Sequence, residues 1–441
     1  MTHRPSPARS ASPGSSPAAS ASPGSSPAAS AAPGPSPAAP GRALRIGGLV
    51  SGLALTGGLE RCVLEDTRAL VAAGHTVELW HRDSTAARAG EGRAAYDGLG
   101  VRLLEATDPR FGIRTALRDT LRFAREGLRL RRAGYDVLWL NRPEYLPYGR
   151  VVSAVSGIPL AVHLHHAPNY GRLGPIAGGR SRFLAVSHAM ARAWAAAGTP
   201  VDKITVVPNG VDTDAFPPAT AEQAAAARRT LGIDTDRPVV LYYGRLSRSK
   251  GVVALLEAWQ LVLADAARRS AAAPVAAGSG PAAHDAAVPA SSVPLLVLAG
   301  ALYPEERGPV GRAVDALPAG SVLVLPERDD VLPLLHAADL VVAPSIEPEG
   351  FGRTVVEAMS AGVPAVAAAS GGTAEVLADE WERFTVDPTD TAALARTVTA
   401  ALDEATTDPT LPARCRAWVR ERYDRAPHER ALLDALVTHA R

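Results

Sequence analysis

The chain has 441 residues, of which 47% are hydrophobic and 21% charged, and its formal net charge is +1. That length exceeds one ordinary core and suits two, while the charge balance gives no overall field to recruit nucleic acid or membrane. Two cysteines, Cys62 and Cys415, form neither a disulfide framework nor a zinc spacing, and no apolar run of about 18 residues predicts a spanning helix.

Residues 1–42 consist mainly of Ala, Ser, Pro and Gly, with SASPGSSPAA repeated in tandem at Ser10–Ala19 and Ser20–Ala29. Such a segment has too little apolar surface to offset its ordering entropy, so it reads as a disordered tail. It has no apolar core typical of a secretory leader, and the expected compartment is the cytoplasm. From Ala43 onward, short Val- and Leu-rich runs alternate with stretches of helical length. The runs in the first half are Leu44–Val50, Thr76–His81, Val101–Glu105, Val137–Asn141, Leu160–His165, Phe183–Ser187 and Ile204–Pro208. In the second half they are Pro238–Gly244, Leu295–Gly300, Val322–Pro326, Leu340–Pro344, Pro364–Ala369 and Arg383–Val386. Runs without strict alternation suit strands covered on both faces, and their alternation with helices implies parallel sheets built from βαβ units. The pattern restarts near Phe216-Pro217-Pro218. The expected domains are 43–214 and 215–415, with 416–441 a closing helix that returns to the first. A low-complexity stretch, 270–293, lies between a helix at Val252–Arg269 and a strand, and reads as a surface insertion.

The loop regions carry the chemistry. Gly57-Gly58 sits between the first strand and first helix, where a tight turn and free helix amides suit an anion; a plain βα turn has the same appearance. It is not the G-x-G-x-x-G of dinucleotide enzymes. Gly244-Arg245-Leu246-Ser247-Arg248-Ser249-Lys250-Gly251 follows the first strand of the second half. Arg245 and Lys250 offer a fork and a point charge to a diphosphate, at the strand end where open α/β sheets bind ligands. Glu349-Gly350-Phe351-Gly352 then precedes a helical stretch containing Glu357. Carboxylates bind sugar hydroxyls well, and Glu357 lies among Val355, Val356, Ala358 and Met359, an awkward setting for a charge without a partner. Two acids on an exposed helix face give the same spacing. Gly371-Gly372 opens another helix after a strand. His163, His165 and His166 close a first-half strand, with His163 and His165 on one face; no third metal ligand is placed beside them. The Asp212-Thr213-Asp214 and Asp234-Thr235-Asp236 triads read as turns and caps rather than as a metal site.

With these motifs in this order, the chain resembles the retaining glycosyltransferases of the GT-B fold, glycosyltransferase family four, from Ala43 to its C-terminus. The matching segments include TGGLERCVLEDTRALVAAGHTVELW, ITVVPNGVDTDAF, VVLYYGRLSRSKGVVALLEAW and EPEGFGRTVVEAMSAGVPAVAAASGGTAEVL. The resemblance implies two Rossmann-like domains facing across a cleft and a hexose transferred from a UDP- or GDP-sugar to a hydroxyl acceptor. That acceptor is a glycan, a lipid-linked sugar or a small molecule. The nucleotide-sugar is a substrate, no cofactor or metal is implied, and attack occurs on the face from which the diphosphate leaves. By the same resemblance, Arg245 and Lys250 hold the diphosphate, Glu357 the ribose, and Glu349 the transferred sugar beside the amides of Gly350, Phe351 and Gly352. Gly57 and Gly58 meet the donor phosphates or the acceptor from the opposite domain, and His165 lies over the sugar; the Gly371-Gly372 turn, with its helix-terminus amides, is itself suited to a phosphate of the donor. The turn Ala299-Gly300-Ala301 departs from the family pattern, where a second glycine is usual. A nucleotide-sugar epimerase, a phosphorylase and a non-catalytic nucleotide-sugar-binding protein remain alternatives on the same fold.

The stretch Arg110–Arg132 has arginine at 110, 114, 118, 122, 125, 129, 131 and 132, interspersed with Leu117, Leu121, Leu128 and Leu130. It fits either a solvated arginine face on a core-packed helix or peripheral contact with an anionic membrane. The sequence carries no sign of oligomeric state.

Overall fold

The computed structural model describes residues 42–440 apart from 51, 56, 83–88, 169–175 and 273–292. The tail and most of the low-complexity insertion lie outside the described residues. Among the described residues, thirteen strands form two parallel sheets. The first has seven: β1 Arg45–Leu49, β2 Thr76–His81, β3 Arg102–Glu105, β4 Val137–Leu140, β5 Leu160–Leu164, β6 Ser181–Ala185 and β7 Ile204–Val206, in the order β3-β2-β1-β4-β5-β6-β7. The second has six: β8 Val239–Tyr243, β9 Leu295–Ala299, β10 Val322–Leu325, β11 Leu340–Ala343, β12 Ala365–Ala368 and β13 Thr385–Val386, in the order β10-β9-β8-β11-β12-β13. In each sheet the strand order reverses beside the first strand, at β1/β4 and at β8/β11. That reversal opens a crevice beyond the strand ends, where doubly wound sheets receive ligands.

Each predicted apolar run contains one of these strands except Phe183–Ser187, which only overlaps β6 because that strand begins two residues earlier, at Ser181. The last shrinks to two residues because Asp379–Phe384 closes into a 3-10 turn that buries Trp381 and Phe384. The helix expected at Val252–Arg269 runs from Val252 to Ala272. Strands β4, β5, β8, β9 and β12 are buried throughout or nearly so, as helices on both faces require.

The chain crosses between the halves twice. It passes forward after Val211 and returns at Asp424, and these two residues form an isolated parallel bridge. The Thr213 hydroxyl donates to Asp424 at 2.7 Å. Gly210 lies at this crossing, and a Cβ there would fall 2.8 Å from the Arg425 Cα. Helix Leu411–Tyr423 remains against helix Arg353–Ser360 of the second half. Helix Arg425–Ala440 then places Leu432 and Leu436 in the first-half core beside Val63 and Leu70. The C-terminal segment therefore ties the two halves together through packed side chains.

Candidate active site between the two sheets

Strand β8 leads into the loop that carries Arg245 and Lys250. Gly300 keeps that loop close to the turn after β9, where a Cβ would lie 1.7 Å from the Gly244 carbonyl. The single glycine in the Ala299-Gly300-Ala301 turn is thus the one the packing requires. The loop is bonded to the segment after β11: the amides of Ile346 and Glu347 donate to the Ser249 carbonyl at 3.0 and 3.2 Å. These contacts bring together two motifs that lie about a hundred residues apart. The Lys250 ammonium donates to Glu349 Oε1 at 2.6 Å, with both side chains about a quarter exposed. Arg245 is exposed, and its carbonyl accepts from the Tyr242 hydroxyl at 2.6 Å. No partner of its guanidinium is seen among the described residues.

Glu357 has the partners its apolar neighbours call for. Its Oε2 accepts from the Tyr243 hydroxyl at 2.9 Å and its Oε1 from Arg353 Nε at 2.6 Å, one helical turn away. Glu357 is 6% exposed. Burial and the neighbouring Glu357 charge push the Tyr243 hydroxyl far above its ordinary range, so it stays a neutral donor. The other two guanidinium nitrogens of Arg353 reach across the cleft to both oxygens of Glu65, each at 2.8 Å, in a fork-to-fork pair. Burial opposes the Arg353 charge, but Glu357, Cys62 and Glu65 outweigh it and hold the guanidinium well above its usual range.

The glycines are packing solutions as well as turn residues. A Cβ on Gly350 would fall 2.0 Å from the His165 carbonyl of the first half. The Ser187 hydroxyl donates to the Gly350 carbonyl at 2.7 Å. Gly352, at φ +96°, starts helix Arg353–Ser360 in a left-handed conformation that favours glycine. Gly371 and Gly372 nest against the same loop: a Cβ on Gly371 would lie 2.4 Å from the Glu349 carbonyl, and one on Gly372 2.4 Å from the Phe351 Cα. The Gly372 amide donates to the Glu349 carbonyl at 2.8 Å, so in this state it is not offered to a phosphate. The Phe351 ring is buried edge-on against Tyr423 at 5.6 Å, leaving its backbone as the part that faces the loop. Gly57 caps helix Gly58–Ala72, and a Cβ on Gly58 would sit 3.9 Å from Arg353 Cδ. The first-half turn therefore faces the second-half helix.

Apart from Glu65, the first-half wall beside β5 presents buried polar groups without charge. His163 and His165 stack with ring centroids 4.2 Å apart, on one face of β5 and its extension. Burial, then His166 and Arg142, push His165 down to about 3. Burial and His165 likewise hold His163 well below its ordinary range. His165 Nε2, both His163 ring nitrogens and the Asn141 amide are sealed from solvent without hydrogen-bond partners. Behind them lies a charged cluster: His428 Nε2 meets Asp66 Oδ1 at 2.8 Å, and Arg425 Nη1 meets Glu65 at 2.8 Å. Burial would raise the Asp66 carboxyl, but His428, His163 and Arg425 together lower it. His166 pairs with Glu144 at 3.0 Å and turns away from the other two rings.

Both acidic triads serve as turns or caps, and the first also makes long-range contacts, Asp214 pairing with Arg416 at 3.1 Å. Asp212 caps the amides of Asp214 and Ala215, and Asp234 accepts from the Asp236 amide. Among the described residues no group of three or more His, Cys, Asp or Glu is placed to hold a metal ion. Sequence reasoning missed Tyr243, Arg353 and Glu65. All three lie inside quoted segments, and the spacing of Arg353 and Glu357 on one helix face was a usable signal. Glu65 carries none, because its partner is 288 positions away.

Two parallel doubly wound sheets, with cations and carboxylates on one strand-end wall and a glycine turn with histidines on the other, define a GT-B fold. A model described as glycosyl transferases group 1 matches residues 223–422, and one described as glycosyltransferase family 4 matches residues 56–215. The chain belongs to this glycosyltransferase family. The D-inositol 3-phosphate glycosyltransferase of Xylanimonas cellulosilytica is 33% identical over 215 residues, 46% of this chain and 44% of that protein. Its counterpart in Mycolicibacterium smegmatis is 34% identical over 201 residues, 46% of this chain and 40% of that protein. The matched stretch spans less than half the length of these curated relatives. Alr3699/HepE of Anabaena, solved in complex with UDP-glucose, superposes with a TM-score of 0.69 at 21% identity, covering 90% of this chain and 100% of that one. At that identity the likeness speaks to the fold alone. Among the described residues no helix is long and apolar enough to cross a membrane.

Proposed function

We propose that the protein transfers a hexose from a UDP-sugar to a hydroxyl acceptor with retention of anomeric configuration. The observation that carries this reading is the joining of the Lys250–Glu349 pair to the Tyr243–Glu357–Arg353 group by the Ser249 and β8 contacts, opposite the Gly57-Gly58 turn. The choice of UDP is supported by the UDP-glucose complex of the Anabaena protein of the same fold.

The chemistry follows from what each group can do. The Lys250 ammonium has three donors. One engages Glu349, and the others remain for a diphosphate whose negative charge grows as the sugar departs. Arg245, exposed at the β8 exit, brings a second cation to the same charge. Glu349 accepts hydrogen bonds from hydroxyls of the transferred sugar, which keeps its own charge off the phosphate. Glu357 accepts from the ribose in place of one of its present donors. Neutral His165 and the neighbouring wall meet the sugar without adding charge, so the leaving diphosphate itself takes the acceptor proton. The halves already touch at Gly350, Glu65 and Ser187, and this closure excludes water, whose attack on the donor competes with transfer.

A thermal-shift series of UDP- and GDP-sugars tests the donor. A true donor at 100 times its dissociation constant stabilises by about 2.7 kcal/mol. Stabilisation by GDP-sugars alone would overturn the nucleobase assignment, and no response to either would remove the donor site. Proton NMR of the product then reads the anomeric configuration; an α-linked donor giving a β-linked product would exclude retention.

A further inference from the structure

The arginine-rich segment does not bury its apolar stripe. Phe111, Ile113, Leu117, Leu121 and Leu128 make up half of the large exposed apolar side chains among the described residues, with Ile113 92% and Leu117 76% exposed. Residues 113, 117 and 121 are four apart, so they share one edge of helix Ala116–Leu130 and the turn before it. The opposite edge makes the packing. Phe123, Gly127 and Leu130 are buried, and a Cβ on Gly127 would lie 2.8 Å from Val155 Cβ of the adjoining helix Leu146–Ser156.

The charges are sorted in the same way. The two acids of this helix are turned inward: Asp119 is 2% and Glu126 8% exposed. Asp119 accepts from the Gly112 amide at 3.1 Å and pairs with Arg122, while Glu126 pairs with Arg129. Arg114, Arg118 and Arg125 stand exposed beside the apolar stripe. The outward face is therefore apolar and positive, with its negative charge withdrawn. A soluble helix in an ordinary solvated role shows the reverse, polar outside and apolar inside.

We propose that this face docks the protein on the surface of an anionic phospholipid bilayer. Ile113, Leu117 and Leu121 enter the headgroup–acyl boundary, and Arg114, Arg118 and Arg125 meet lipid phosphates at the same level. The occupant is a bilayer because the apolar side chains project from a convex helix edge, which suits a deformable apolar phase bounded by anions. The segment follows β3, whose C-terminal end lies at the edge of the first sheet that faces the cleft. Docking there would hold the cleft near the lipid surface, whatever sugar the donor carries.

Flotation of the full chain with vesicles of phosphatidylcholine, alone or mixed with phosphatidylglycerol, tests the proposal. The chain is expected to float with the mixed vesicles, to remain below with phosphatidylcholine alone, and to be released by added salt. Leu117→Glu with Leu121→Glu should lower the vesicle partition coefficient by about tenfold or more, since buried apolar area is replaced by charge. Arg114→Ala, Arg118→Ala and Arg125→Ala together should lower it by about a hundredfold. The substituted side chains are exposed, so an unchanged circular dichroism melting curve separates lost docking from lost folding. Absent flotation, equal flotation on neutral vesicles, or flotation untouched by the apolar variant would each overturn the proposal. So would a concentration-dependent dimer that the apolar variant dissolves in a chain showing no vesicle binding.

Discussion

The two walls of the cleft are made of opposite materials. The second-half wall holds fixed charges in pairs, Lys250 with Glu349 and Arg353 with Glu357, mounted on a loop and a helix start braced by glycine contacts. The first-half wall holds histidines kept neutral by burial and an asparagine amide without partners. Paired charges next to a ligand can exchange a protein partner for a substrate group at modest cost, because the site is already charge-balanced. Unpaired neutral groups can only add hydrogen bonds. The wall that carries charge is thus suited to a leaving diphosphate, and the neutral wall to shaping and drying the space above it.

The sharpest break of this comparison is Lys250→Ala. Removing one cation aimed at developing charge should lower kcat by about a thousandfold, measured as UDP release in the presence of acceptor, with the circular dichroism melt unchanged. Retained turnover would mean that the charged wall does not hold the leaving group. Arg353 tests the seam between the walls. Arg353→Ala removes the buried cation between Glu65 and Glu357, leaving Glu65 only Arg425 and Glu357 only the Tyr243 hydroxyl, and should cost about 3 kcal/mol of stability in urea unfolding. Glu65→Gln keeps the Arg353–Glu357 pair but cuts the cross-cleft fork. It should cost about 1 kcal/mol and raise KM for the donor more than it lowers kcat, because closure rather than chemistry is weakened. A Glu65→Gln variant indistinguishable from the parent chain, beside a full cost for Arg353→Ala, would show that Arg353 serves only its own helix.

The two walls also differ in how far they were legible in the sequence. The strand runs were readable because both sheets are covered on both faces, so each strand is a nearly continuous apolar run bounded by turn residues. The charged wall was readable because its residues fall within two short segments, at Arg245–Lys250 and Glu349–Glu357. What joins them was not. The Ser249 carbonyl accepting from Ile346 and Glu347, Arg353 reaching Glu65, and His428 reaching Asp66 are each made by residues far apart in the chain with no local pattern. Arg110–Arg132 was legible as a helix with a basic face. Its apolar stripe has the spacing of a core-facing edge, and only burial shows that the core lies on the other side.

The neutral wall yields the smallest effect, in the pH dependence of folding. His163 and His165 have folded-state pKa values below the ordinary histidine range, that of His165 at about 3, so the unfolded chain binds protons that the folded chain refuses. Stability from these two groups is therefore present above about pH 6.5 and declines as the pH falls toward the folded values. His428 has the opposite sign: burial opposes its charge, but Asp66 raises its pKa, so its contribution is present below about pH 6.5 and fades only as the pH rises through the raised value. Between pH 6 and pH 5 the histidine pair should thus govern, with stability falling by about 1 kcal/mol per pH unit for each ring. His165→Gln removes one titrating ring while retaining a hydrogen-bonding side chain. Urea unfolding at pH 7, 6 and 5 should show the variant losing less stability than the parent chain over that interval, by about 1 kcal/mol per pH unit. Parallel curves would place the His165 ring in contact with water and leave the first wall no drier than the second.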